Sequence, residues 1–309
     1  HMRWDDALDG YWLARRRNLS DCTVDDYGRT FRRFGQFIRN GDLSKVKAKQ
    51  VNEFLTYLSE ELELGPKTVL NAWIALSSFW TWAHDELGLP HIVSDGVDKP
   101  KAKSPPGLPY SEEEVRKLLD ACVYMNAWSR RSGRHVEGNR PTKLRDQAIM
   151  LTLLDTGLRV SELCALKIKD YDRKQGRLVV EHGKGDKPRV VYLGTAGQRG
   201  LWRYLTTDRA ITSPKEPLFA TATGRHLDNS GVRLMIQRAG ERVGIPNAGP
   251  HRFRHTFAIN FLRNGGNILA LQDLLGHSSL EMVRRYARQA EVDLQQAQRR
   301  ASPADNWNL

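Results

Sequence analysis

The sequence predicts a mainly α-helical protein with a small β-sheet, organised as two domains. Its 309 residues are more than one ordinary hydrophobic core needs. In residues 3–98 apolar side chains recur three and four positions apart, which is the period of an amphipathic helix. In the second half two short β-rich runs flank a glycine-containing turn, a pattern typical of a hairpin. An all-helical first domain and a mixed α/β second domain follow from these observations.

Residues 3–98 contain three segments with the helical period, at 23–40, 44–61 and 66–87. Pro66 suits the first turn of the third helix, where a backbone N–H has no partner in any case. The apolar faces comprise Val24, Tyr27, Phe31, Phe34 and Ile38, then Val46, Val51, Phe54, Leu55 and Leu58, then Leu70, Trp73, Ile74, Phe79, Trp80 and Trp82. We expect these faces to pack against one another as one helical domain.

A break follows this domain. Residues 93–109 combine proline, glycine and three lysines without an apolar period, which is typical of a linker, and we assign the linker itself to 99–109. Lys99, Lys101 and Lys103 either follow a phosphate backbone or belong to a solvated hinge.

The second domain, 110–296, begins with a capping box at Ser111 and Glu114, and a tail follows at 297–309. A helix from 142 to 156 ends at Gly157. Residues 125–142 are polar and aperiodic, so we expect a long loop, either an extra contact with a polyanionic partner or a disordered insertion. Strands are expected at 177–182, 189–193 and 218–221, and helices at about 228–244, 251–264, 267–275 and 279–288.

Composition indicates a folded protein with a polyanionic partner. The apolar fraction is 40%, the net charge is +12 and the pI is about 9.7. Residues 1–98 contain 12 lysines and arginines against 15 acidic residues, whereas the rest of the chain contains 36 against 21. The longest apolar stretch, at 148–154, is far shorter than the ~20 residues of a membrane helix, so no membrane association is expected.

Two segments early in the second domain place charged groups at turns. In TGLRVSELCAL (156–166), Arg159 follows the helix-ending glycine, and Glu162 has the spacing for an ion pair with it. Lys184 lies in the charged turn of the predicted hairpin, where flanking glycines permit close approach to another surface. Each residue alone is equally compatible with an ordinary surface position.

Two later segments add histidines, an arginine and a tyrosine. His251 and Arg254 stand at i,i+3 at the start of a helix, an arrangement suited to an anion. Gly276-His277 lies between two helices, and Tyr286 follows nine residues later.

No cofactor is predicted. His251 and His255 have the spacing of a zinc helix, but the HExxH glutamate is missing and two arginines interleave the pair. Neither a P-loop nor a dinucleotide motif occurs. The three isolated cysteines, Cys22, Cys122 and Cys164, lack metal-ligand spacing, and we expect small core residues in a reduced, cytoplasmic protein.

Taken together, these segments resemble the tyrosine recombinase family, most closely its two-domain Xer-like and phage-type integrase members. The similarity covers nearly the whole chain, and the order and approximate intervals of the segments match. It extends over the helical domain, the linker, TGLRVSEL (156–163), GKGDKPR (183–189), HRFRH (251–255), LGH (275–277) and the final tyrosine. The resemblance implies a SAM-like core-binding domain followed by the tyrosine-recombinase catalytic domain.

The resemblance also implies roles for individual residues. It makes Tyr286 the nucleophile and Lys184 the general acid for the leaving 5′ oxygen. Arg159 and Arg254 would clamp the scissile phosphate. The reaction would proceed through a 3′-phosphotyrosyl intermediate and a Holliday junction, without metal or ATP.

The remaining implied members are two histidines and one glutamate. His251 and His277 would hydrogen-bond the phosphate and manage protons, while Glu162 would support the first arginine. One departure is Arg288, which stands where members of this family often have a histidine, two residues after the tyrosine.

The implied partners are double-stranded DNA recombination sites, three further copies of the chain in a tetrameric synapse, and an accessory directionality protein. We infer that the DNA contacts come from Arg29, Arg32, Arg33, Lys45, Lys47, Lys49, Lys99, Lys101, Lys103 and Arg189. The tail, through Leu294, Trp307 and Leu309, either docks on a neighbouring copy or is frayed.

Two alternatives remain open at this point. A type IB topoisomerase has the same set of reactive residues and would relax supercoils as a monomer. A catalytically silent DNA-binding protein would form no covalent adduct with a suicide substrate.

Overall fold

The computed structural model describes residues 2–102, 107–128, 135–181, 188–221, 223–277 and 279–290, together with positions 298, 302, 304 and 307. The chain divides into two compact units, His1–Pro106 and Gly107–Leu309. Among the described residues, none of the helices combines the length and apolar character that a membrane crossing requires.

The first unit is helical. Its helices are α1 (Trp4–Arg15), α2 (Asp21–Phe37), α3 (Ala48–Glu60), α4 (Pro66–Leu87) and α5 (Ile92–Gly96), with short 3₁₀ turns at Arg16–Asn18 and Leu43–Lys45. α4 has the predicted bounds, because Pro66 fixes its first turn and Gly88 closes it with a left-handed backbone (φ 64°).

An aromatic cluster fills the core of this unit. Trp4 is fully buried, and its ring centroid lies 5.0 Å from that of Phe34 and 4.5 Å from that of Phe79. Its indole N–H donates to the backbone oxygen of Phe31 at 3.3 Å, which satisfies the one polar atom of the side chain. α1 therefore contributes the centre of the core, although its sequence lacks the clear period of the next three helices.

Two expectations for the first unit need correction. The helix predicted from residue 44 begins at Ala48, because the chain first makes the 3₁₀ turn that buries Val46. Residues 92–96, assigned partly to the linker, form α5, whose Val93 is fully buried. A single helical turn buries too few apolar residues to show a period in the sequence.

The second unit combines helices with two small antiparallel sheets. Its elements are α6 (Glu112–Ala121), β1 (Tyr124–Trp128), β2 (His135–Asn139), α7 (Lys143–Thr156), α8 (Val160–Ala165), a 3₁₀ turn (Ile168–Asp170), β3 (Tyr171–Asp172), β4 (Arg177–Val180), β5 (Arg189–Tyr192), α9 (Thr195–Thr207), α10 (Asn229–Arg242), α11 (Pro250–Arg263), α12 (Ile268–Leu275) and α13 (Leu280–Ala290). The predicted capping box at Ser111 and Glu114 begins α6.

The elements of the second unit differ from the predicted ones in three places. The expected loop at 125–142 contains the hairpin β1–β2. The third strand in the sheet of β4 and β5 is β3, whereas residues 218–221 make a single isolated bridge, from Ala220 to His226. The helix α9 was not predicted, because its two glycines, Gly197 and Gly200, weaken the helical signal.

Cysteine placement agrees with expectation at two of three positions. Cys122 and Cys164 are buried, and burial raises the pKa of their thiols to about 12 and about 11. Cys22 is exposed, contrary to the expectation of a core residue.

Candidate active site

The turn after α7 presents Arg159. Gly157 has a left-handed backbone (φ 62°), and a Cβ there would lie 2.4 Å from Phe257 Cδ1, so this turn requires glycine. Arg159 then precedes α8, and its backbone N–H donates to Glu162 Oε2 at 2.7 Å. Its Nη1 donates to Glu162 Oε1 at 2.8 Å, so the ion pair expected from the sequence spacing is present.

Glu162 is a buried carboxylate with two arginine partners. Burial alone would raise its pKa, but hydrogen bonds from Arg189 and from Arg159 outweigh this effect and hold the pKa below its usual value. Arg189 Nη1 and Nη2 donate to the two oxygens of Glu162 at 2.9 and 2.7 Å. Glu162 is therefore ionised at neutral pH.

Arg189 differs from its predicted role as a DNA contact. Its Nε donates to the backbone oxygen of Leu274 at 2.8 Å, and its side chain is 11% exposed. The guanidinium faces inward because a buried carboxylate and a helix-end carbonyl lie on the same side of β5. The sequence analysis named Arg189 as a DNA contact but did not predict these internal contacts, since Glu162 and Leu274 are far from it along the chain.

Arg254 lies on α11 and is 5% exposed. Its Nη1 donates to the backbone oxygen of Gly157 at 2.6 Å, and its Nη2 donates to that of Leu275 at 2.8 Å. Burial, reinforced by the positive charge of Arg159, lowers its pKa to about 10. Arg254 therefore remains cationic at neutral pH and adds to the positive charge around Arg159.

His277 is buried beside Arg254, whose Nη2 donates to His277 Nε2 at 2.8 Å. A guanidinium has no acceptor, so Nε2 accepts and the neutral ring carries its proton on Nδ1. Burial, followed by the charges of Arg254, Arg159 and Arg189, lowers the pKa of His277 to about 4. Within the described part of the chain, this buried Nδ1–H has no hydrogen-bond partner, so its donor is unsatisfied in the protein alone.

Tyr286 lies on α13, 9% exposed, beside two imidazoles. Its ring is stacked on that of His277, with centroids 6.1 Å apart and an interplanar angle of 14°. The ring of His255 meets it edge-on at 5.2 Å. Burial lowers the pKa of His255 as well, and this residue was named in the sequence only as a possible metal ligand.

His251 is exposed at the start of α11. Partial loss of hydration, with the charges of Arg254 and Arg233, lowers its pKa and favours a neutral ring. A neutral imidazole can accept a proton at physiological pH.

The structure thus brings together part of the catalytic set that the sequence predicts. Arg159, Arg254, His277 and Tyr286 lie close together, whereas Lys184 lies outside the described residues. Across the described ranges, no cluster of three or more histidine, cysteine or acidic side chains has metal-binding geometry. The chemistry offered is that of a phenol next to fixed cations.

The other predicted DNA contacts lie mostly on the first unit. Lys103 is outside the described residues. Lys99 lies 5.6 Å from the ring centroid of Trp73, and Arg29 pairs with Asp26. The side chains exposed there are Arg29, Arg32, Arg33, Lys45, Lys47, Lys49, Lys99 and Lys101.

Comparison with known proteins identifies the family. Residues 110–292 match the phage integrase family, and residues 12–88 match the N-terminal SAM-like domain of phage integrases. The chain is 32% identical to the tyrosine recombinase XerC of Oceanobacillus iheyensis, over 96% of this chain and 95% of that protein. It is 30% identical to the XerC of a Mycobacterium species, over 96% and 98%.

Solved structures share the fold. The Tn1549 transposon integrase in complex with a circular intermediate DNA has a TM-score of 0.76 at 20% identity, over 93% of this chain and 95% of that one. A lambda integrase dimer bound to a core site has a TM-score of 0.72 at 19% identity, over 91% and 97%. These matches confirm the predicted fold class, a helical SAM-like domain followed by an integrase catalytic domain. The chain belongs to the phage integrase family and is a tyrosine recombinase of the Xer-like type.

Proposed function

We propose that this chain recombines DNA at specific sites by transesterification, with Tyr286 as the attacking group. The observation that carries the proposal is the position of the Tyr286 phenol, stacked on His277, which in turn accepts a hydrogen bond from Arg254. One nucleophile therefore adjoins a group of donors and cations suited to a phosphodiester.

In the cleavage step the phenolate oxygen of Tyr286 bonds to phosphorus, and the bond from phosphorus to the 5′ oxygen breaks. The phenol proton leaves to a base, for which the neutral ring of exposed His251 is suited. The 5′ oxygen takes a proton from Lys184, the role that the family resemblance gives this residue. The products are a 3′-phosphotyrosyl ester and a free 5′ hydroxyl.

The two clamp arginines stabilise the transition state. A phosphodiester is anionic, and its pentacoordinate transition state carries more negative charge than the ground state. Arg159 and Arg254 are held by hydrogen bonds before substrate arrives, so they act on the developing charge without reorganising. The ester intermediate retains the energy of the broken bond, so rejoining to another 5′ hydroxyl needs no ATP.

The assembly that we propose contains four copies of the chain on two DNA sites, with strands exchanged through a Holliday junction. The Tn1549 and lambda integrase structures are complexes with DNA, which supports DNA as the partner. An accessory protein would set the direction of exchange, and the reaction would take place at the nucleoid.

The proposal is tested with a library of synthetic duplexes with randomised arms, each nicked just 3′ of the cleavage position. A cleaved substrate then loses its short 5′-hydroxyl fragment, and the covalent adduct accumulates. We expect the wild-type chain to give an adduct that survives denaturation, from which the target is sequenced. Tyr286→Phe should bind the same duplexes and give no adduct.

An adduct with Tyr286→Phe would show that another residue attacks. No adduct with the wild type, despite binding, would favour the silent DNA-binding alternative. Relaxation of a supercoiled plasmid that lacks the selected site would favour the topoisomerase alternative.

A further inference from the structure

Arg189 lies at the junction of three catalytic segments. It begins β5, its Nη atoms contact Glu162 on α8, and its Nε contacts the backbone oxygen of Leu274 at the end of α12. All three nitrogens of the guanidinium are thus engaged inside the protein, and the side chain is 11% exposed. A contact between this guanidinium and DNA would require breaking these bonds.

The charge of Arg189 has a consequence for Arg159. Glu162 is 4% exposed and accepts from the Arg159 guanidinium at Oε1 and from the Arg159 backbone N–H at Oε2. With Arg159 as its only partner, this buried carboxylate would cancel the charge of Arg159, one of the two clamp arginines. The bidentate bond from Arg189 balances Glu162, so the group of three side chains keeps a net positive charge.

Arg189 also supports the turn that carries His277. Gly276 ends α12 in the left-handed region (φ 62°), and a Cβ on it would lie 3.2 Å from Arg189 Nη1. The guanidinium therefore packs directly against the residue before His277. Its bond to Leu274 fixes the last turn of α12, whose next carbonyl, that of Leu275, accepts from Arg254.

We propose that Arg189 is a positioning residue for the cleavage reaction. Its guanidinium neutralises Glu162 and holds the turn of Arg159 and the turn of His277 in one arrangement. This inference rests on the proposed function, because it concerns the same phosphate site. Arg189 acts through its neighbours and does not contact the substrate.

The test compares two forms of a nicked duplex selected with the wild-type chain. One carries the natural phosphodiester at the cleavage position, and the other carries a neutral methylphosphonate. We expect Arg189→Met to slow single-turnover adduct formation on the phosphodiester about 100-fold, as for loss of one preorganised donor. On the methylphosphonate, whose transition state carries less negative charge, the loss should be below about fivefold.

A second variant tests the charge argument directly. Adding Glu162→Gln to Arg189→Met removes the unbalanced carboxylate, so the double variant should cleave the phosphodiester at least about tenfold faster than Arg189→Met alone. Arg209→Met is the matched control, since Arg209 is 7% exposed and pairs with Glu216 at 3.0 Å. It removes a similar ion pair from the fold, and its rate should stay within about threefold of wild type on both substrates.

Equal losses for Arg189→Met on both substrates would overturn the inference, as would a double variant no faster than the single one. If Arg189→Met does not fold, Arg189→Gln takes its place, because its amide is polar and still removes the charge that balances Glu162. Its defect should again be larger on the phosphodiester. Failure of the wild type to form any adduct would instead count against the proposed function itself.

Discussion

At the scale of single residues, the arginines around His277 determine its protonation state. His277 accepts a hydrogen bond from Arg254 and is surrounded by guanidiniums, so a proton on both nitrogens would face like charges at close range. The fold thus keeps the ring neutral, with its N–H on Nδ1. In the proposed mechanism this Nδ1–H would donate a hydrogen bond to a phosphate oxygen.

This protonation state predicts a pH-dependent stability. Burial lowers the pKa of the folded ring to about 4, whereas its pKa in the unfolded chain is the ordinary 6.5, so between these two pH values the unfolded state binds more protons. Stability should therefore fall as the pH drops through this window. Between pH 7 and pH 5, the free energy of unfolding of His277→Gln should fall by about 2 kcal/mol less than that of the wild type, as measured by urea unfolding. Parallel losses in the two proteins would contradict this protonation state.

At the scale of elements, a buried carboxylate ties the start of α7 to its surroundings. Asp146 has no exposed surface, and it accepts from Arg140, which follows β2, and from Arg145 on its own helix. Arg145 also donates to the backbone oxygen of Ala220. The hairpin, α7 and the 218–221 segment are therefore joined at one anion, at the opposite end of α7 from Arg159.

Loss of this anion should be costly. Asp146→Asn keeps the shape of the side chain and leaves two mostly buried arginines without a counter-charge, so we expect a loss of about 3 kcal/mol in the free energy of unfolding. Glu112→Gln, which breaks an exposed pair with Arg116, should cost less than about 1 kcal/mol. Similar losses for the two variants in chemical denaturation would show that the Asp146 network adds little.

At the scale of the whole molecule, charge is divided unequally along the chain. The helical domain carries slightly more acidic than basic residues, and the excess of basic residues follows it. The basic side chains Arg32 and Arg33 are exposed on one helix, α2. We therefore expect the helical domain to bind DNA through a few contacts on a local basic face, and the second domain to supply general electrostatic attraction to DNA.

The salt dependence of binding tests this division. Each phosphate contact contributes about 0.9 to the slope of log affinity against log salt, so Arg32→Gln with Arg33→Gln should lower the magnitude of the slope by about 2. Fluorescence anisotropy with the selected duplex at several salt concentrations measures it. Lys169→Gln is the control, since this lysine pairs with Glu181 and should leave the slope unchanged. An unaltered slope in the double variant would place the DNA face elsewhere.

Local signals explain which elements were predictable. α4 was bounded by Pro66 and Gly88, and α7 by Gly157, because proline and glycine fix backbone geometry wherever they occur. α9 was missed for the opposite reason. A Cβ at Gly200 would lie 2.7 Å from Leu151 Cδ1, so this residue is small because α7 packs closely against it.

The sequence by itself determined the family, the helical first domain and the short segments that carry Arg159, Arg254, His277 and Tyr286, because these depend on local pattern and spacing. Only the tertiary structure decided that Arg189 faces Glu162 and Leu274, which are 27 and 85 positions away. The same holds for the stacking of His277 on Tyr286. The direction in which a charged side chain points depends on the partners that folding brings near it, and a residue's sequence neighbours do not specify those partners.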